Sequence, residues 1–157
     1  MGGAAITAIG VATIRKASKP SQTLFASIPL LFGIQQFAEG VVWIALRSGG
    51  HQQLQYVAAY IFLTMALIIW PLMLPLSVII MEKFKKRKKV LVVFLIIGIL
   101  LIAYYTYCMI TYPIAPQIKG NHILYKGDFP KSLMIPAFIV YLIATLPPLF
   151  ISSVRKA

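Results

Sequence analysis

The sequence predicts an all-α fold, a polytopic bundle of about five membrane segments with a short first segment. Three observations carry that expectation. Of 157 residues, 60% are hydrophobic and only 11% charged, where an ordinary soluble domain carries roughly 25% charged residues. The apolar runs are long enough to cross a hydrocarbon core, which takes about 20 residues. The basic residues sit in the short connections between those runs.

Taken in order, residues 1–14 are apolar but reach only about 21 Å as a helix, short of a core of about 30 Å. Arg15, Lys16, Lys19 and Pro20 form a basic connector. The second segment, 24–46, is entered through Ser21 and carries Pro29 early. A turn at 47–51 leads to the third, 54–81, where Pro71 and Pro75 predict a kink. Residues 82–89 hold six basic side chains and one acid. The fourth segment, 90–112, ends in Tyr104, Tyr105, Tyr107 and Tyr112. Residues 113–131, with three prolines and two glycines, read as an ordered loop with a short hairpin at 122–125. The fifth segment, 132–154, contains Pro136, Pro147 and Pro148, and Arg155 and Lys156 follow it.

A formal net charge of +12 in a soluble protein would point to nucleic acid. Here no aromatic side chain interleaves with the cations, and their placement fits the excess of basic residues on the cytoplasmic side of membrane proteins. Three lie in the first connector, six at 83–89 and two at the C-terminus, eleven in all, against Arg47, Lys119, Lys126 and Lys131 on the other side. That asymmetry places the N-terminus outside and the C-terminus inside. The expected partner is the lipid bilayer, with anionic lipid at Lys83, Lys85, Lys86, Arg87, Lys88 and Lys89; homo-oligomerisation is compatible with the pattern. The single Cys108 supplies no disulfide framework. The N-terminal stretch is not a signal peptide, because its cations follow the apolar part.

Chemistry concentrates in the second segment, where Gln35, Gln36 and Glu39 lie near the bilayer midplane. A carboxylate there costs a few kcal/mol unless it faces the bundle interior or a watered cavity. Gln35 and Gln36 share its helical face, and Phe32 and Trp43 extend the stripe. No Lys or Arg lies inside any segment, so Glu39 is expected to be buried, neutral and hydrogen-bonded. Tyr60, Tyr104 and Tyr141 fall at comparable depth on other segments, and His122 is a loop group that reaches the same side. These eight residues, Gln35, Gln36, Glu39, Trp43, Tyr60, Tyr104, Tyr141 and His122, are the candidate binding set. The plainer reading makes the amides and the carboxylate helix glue, with Gly33 and Gly40 allowing close approach. Without intramembrane Lys or His, a retinal Schiff base and a bis-histidine haem are excluded, and no metal or other cofactor is expected.

The run Ile28-Pro-Leu-Leu-Phe-Gly-Ile-Gln-Gln-Phe-Ala-Glu-Gly-Val-Val-Trp43 resembles a motif of a family of uncharacterised prokaryotic multi-pass membrane proteins. The stretches 9–13 and 121–125 are similar to that family as well. The resemblance implies a helical membrane fold in the cell membrane. It also implies members that start earlier, often with a Cys near the N-terminus, and continue through about two more spans. It implies no activity. The residues point first to a sensor, channel or transporter responding to a proton, ion or small molecule at a pocket around Glu39. The alternatives are a lipid-modifying enzyme using Glu39 and His122, or a structural subunit of a membrane complex.

Overall fold

Length and apolarity set the framework. A computed structural model describes residues 2–151, and four of its helical segments are long and apolar enough to cross a membrane: Pro20–Ser48, Gln52–Met81, Lys85–Thr111 and Lys131–Ile151. Helix α1 (Gly2–Lys16) precedes them and, at 15 residues, is the short one. The third of these, helix α6 (Lys85–Thr111), answers to the expected fourth segment but starts at Lys85 and not at residue 90, so the basic residues from Lys85 to Lys89 are its first turns. Lysine is a good helix former, and its long stem lets the charge reach water from the membrane edge. The end of the fifth expected segment, 152–154, and the basic pair Arg155 and Lys156 lie outside the described residues.

Prolines divide three of the long segments. Pro29 follows the break at Ser27 that separates α2 (Pro20–Ala26) from α3 (Ile28–Ser48). Pro147 and Pro148 follow the break between α7 (Lys131–Thr145) and α8 (Pro147–Ile151). The expected kink near Pro71 takes the form of a π-helical turn, Met65–Ile69, between α4 (Gln52–Thr64) and α5 (Trp70–Met81). Proline has no N–H to give, and widening the turn is one way a helix absorbs that loss.

The all-α expectation needs one correction. Residues 113–131 hold a two-stranded antiparallel sheet, larger than the short hairpin expected at 122–125: β1 (Ile114–Lys119) pairs with β2 (His122–Gly127). The loop is Gly120-Asn121, with φ +61° at Gly120, the position at which a type II′ turn requires glycine. Side chains alternate along β2, Ile123 and Tyr125 turning inward while His122, Leu124 and Lys126 are exposed.

The hairpin packs on the ends of α3 and α4. Ile123 joins Val42, Ala58 and Ala59, and Ile114 joins Leu63 and Met109. At the opposite end, Val78, Ile79 and Leu91 form a third cluster beside Leu149 and Ile151. Helix α1 lies against α3 at Gly10 and Gly33, where an added Cβ would strike Leu30 and Thr7 respectively. Gly40, expected to serve the same purpose, has nothing within 4 Å of a Cβ position. Outward faces are strongly apolar, with Ile110 81% and Ile135 69% exposed. Water would oppose such surfaces, whereas lipid chains would not.

Candidate functional site around Glu39

Helix α3 brings the polar stripe to two different places. Gln35 is 7% exposed and its Oε1 accepts a 2.6 Å hydrogen bond from Nε1 of Trp70. That contact ties α3 to the start of α5, and Phe32 packs against the same indole with ring centroids 6.1 Å apart. Gln36 lies 100° further round the helix, and its Nε2 donates to Oε2 of Glu39 at 3.2 Å. Glu39 is half-buried, not fully buried as expected. Its neighbour one turn on, Trp43, lies half-buried beside the hairpin cluster, and the Arg47 guanidinium sits 5.1 Å from its ring centre.

The residue the sequence reading missed is Tyr125. Its ring stacks on Phe62 at 5.0 Å and 10°, wedged between the Val42 and Leu63 clusters. Its hydroxyl is buried and has no protein hydrogen-bond partner among the described residues. Burial raises its pKa, and the negative charge of Glu39 raises it further. A buried phenol without a partner forgoes about 1–3 kcal/mol, and a carboxylate is the acceptor that would return most of it. The signal for this residue was available: alternation along 122–127 turns Tyr125 to the side of Ile123.

The other candidates lie elsewhere. The Tyr60 hydroxyl donates to the Met109 carbonyl at 3.3 Å. Pro113 stands four residues after Met109 and cannot supply the helical N–H, so Tyr60 closes the end of α6. Tyr141 donates to the Ala66 carbonyl at 2.9 Å. Tyr104 lies on α6 beside Tyr105, with ring centroids 5.3 Å apart. His122 is exposed at the hairpin turn, opposite Lys119. Among the described residues, no group of three or more His, Cys, Asp or Glu side chains is placed to hold a metal ion. Of the eight candidates, the fold therefore joins Gln36 and Glu39 directly, sets Trp43 one turn away, and adds Tyr125 from the hairpin.

The whole chain, residues 1–157, matches the model described as a family of unknown function, DUF6629. The protein belongs to that family. No curated protein and no solved structure matches it. The family assignment agrees with the expectation of an uncharacterised family and carries no activity with it.

Proposed function

We propose that this DUF6629 member is a multi-pass protein of a cell membrane, N-terminus outside, that senses a proton or small cation at Glu39 and reports it through the hairpin. The observation that carries this reading is the buried Tyr125 hydroxyl on β2, without a hydrogen-bond partner among the described residues, together with the half-buried Glu39–Gln36 pair on α3. Two packings of the same parts follow. In one, an ionised Glu39 accepts from Tyr125 and draws the hairpin inward. In the other, a proton or a cation takes the carboxylate and releases the phenol. A ligand that favours one packing shifts the population by its difference in affinity. The apolar outer faces and the four long helices support the membrane setting.

The enzyme reading asks for His122 beside Glu39. The alternation of β2 turns His122 to the exposed side and leaves that pairing without support.

Trp43 packs against the same cluster as Tyr125, so its fluorescence can report on the hairpin. In a Trp70→Phe background, Trp43 is the sole tryptophan, because the chain has two, and selective excitation of the indole isolates its emission from that of the tyrosines. Emission of the reconstituted protein is expected to change between pH 4 and pH 9, and the change is expected to vanish in Glu39→Gln. A flat profile, or the same profile in Glu39→Gln, would overturn the proposal.

A further inference from the structure

The opposite end of the bundle carries a second feature, independent of Glu39. Lys85, Lys88, Lys89 and Val92 line a groove of about 400 Å³ on the first turns of α6. At 100° per residue these four share one helical face, while Lys86 and Arg87 point away from it. The same face continues through Ile96 and Ile99, 52% and 49% exposed. From Lys89 to Ile99 is about 15 Å along the axis, half of a hydrocarbon core of about 30 Å. The face is thus basic for a headgroup's length and apolar for one leaflet's depth.

Charge complementarity names the occupant. The chain has three acids for fifteen basic residues. Glu82, the acid at this end, is 4% exposed and accepts from the Phe84 amide at 3.0 Å. Lys85 repels Lys88 and Lys89 at i+3 and i+4, a cost that a bound anion removes. The groove wall is largely the aliphatic part of the lysine stems, which suits a molecule with a charged head and an apolar tail.

We infer that the groove of Lys85, Lys88, Lys89 and Val92 binds one anionic phospholipid, its phosphate among the three ammonium groups and an acyl chain along Val92, Ile96 and Ile99. Recognition is of a phosphate joined to a hydrocarbon chain, not of free phosphate.

The test uses the purified full chain in a neutral detergent, titrated with phosphatidylglycerol, phosphatidylcholine or inorganic phosphate and read by thermal stability and native mass spectrometry. Two variants lose the same charge: Lys85→Gln/Lys88→Gln/Lys89→Gln on the groove, and Lys83→Gln/Lys86→Gln/Arg87→Gln off it. A lysine at an anionic surface contributes about a factor of five in affinity, so the groove variant is expected to bind phosphatidylglycerol roughly 100-fold more weakly. The off-groove variant is expected to stay near wild type, and one lipid per chain is expected in the spectra. Equal loss in both variants would mean diffuse attraction and overturn the site. Stabilisation by inorganic phosphate or phosphatidylcholine matching that by phosphatidylglycerol would overturn the ligand. Should the groove variant fail to fold, Val92→Trp, which fills the groove and keeps all the charge, takes its place; wild-type binding by that variant would overturn the proposal.

Discussion

The hydroxyl of Tyr141 on α7 donates at 2.9 Å to the carbonyl of Ala66, which lies in the π turn five residues before Pro71. In the π turn the Trp70 amide bonds to Met65, five residues back. The next amide in that register would belong to Pro71, which has none. Pro75 in turn withholds an amide from the Pro71 carbonyl, and Gly98 of α6 packs directly on that oxygen. In lipid, where no water reaches such groups, each freed carbonyl needs a neighbour. Tyr141→Phe is expected to cost about 1 kcal/mol of stability. In a Pro71→Ala background, where the missing N–H returns, the cost is expected to shrink. A double-mutant cycle on unfolding in mixed micelles reads the difference, and equal costs in both backgrounds would refute the account.

Gly33 and Gly40 look alike in the sequence and differ in the fold. An added methyl at Gly33 strikes Thr7 of α1, whereas one at Gly40 enters open space. Gly33→Ala is expected to destabilise by about 1–3 kcal/mol through overpacking. Gly40→Ala is expected to be neutral or to stabilise by up to about 1 kcal/mol, from helix propensity alone. Circular dichroism of the two variants during unfolding decides the matter. The opposite ranking would mean that α1 does not dock on α3 through Gly33.

These cases show where the sequence was legible. Hydropathy pointed to four long apolar helices, although α6 begins at Lys85 and not at residue 90. Pro71 and Pro75 marked the disturbance that became the π turn, since the lost N–H acts locally, whereas the breaks at Ser27 and Leu146 were not foreseen from Pro29, Pro147 and Pro148. The partners of the freed groups were not legible. Tyr60, Tyr104 and Tyr141 have the same composition and depth, yet which carbonyl a hydroxyl meets depends on helix rotation. Tyr125 escaped for another reason: it lies outside the apolar runs, and only the β alternation of 122–127 turns it inward. Gln35 and Gln36, adjacent in sequence, part company because a helix separates neighbours by 100°.

Tyr125 predicts an alkaline weakness. Burial, and then the charge of Glu39, raise its folded pKa above the ordinary value of 10.0. Below pH 10 the phenol is neutral in both states, and its own ionisation adds no pH dependence. As pH rises past that value the unfolded chain ionises first, so stability falls. The loss at pH 11 is expected to be well under about 1 kcal/mol, because part of the ring is exposed and solvent screens the charge. Unfolding midpoints between pH 8 and pH 11 for wild type and Tyr125→Phe measure it. The variant is expected to show the shallower decline, and parallel curves would place the Tyr125 hydroxyl in water.

The proposed orientation rests on nine described basic residues at one end, Arg15, Lys16, Lys19 and the six at 83–89, against four at the other, a bias expected of a cytoplasmic end. Thiol labelling can check it, provided that the probe positions tolerate cysteine. Gly49 and Gly120 both adopt φ +61°, which strains any side chain, so the exposed residues Gln53 and Gln117 serve better for the hairpin end. Phe84, 59% exposed, serves for the basic end. Cys108 is buried and is replaced by alanine to clear the background. In intact cells an impermeant maleimide is expected to label Gln53→Cys and Gln117→Cys and to spare Phe84→Cys. Labelling of Phe84→Cys alone would invert the protein. Tyr125 and Glu39 would then sample the cytoplasm, and Lys85, Lys88 and Lys89 would meet the lipids of the outer leaflet.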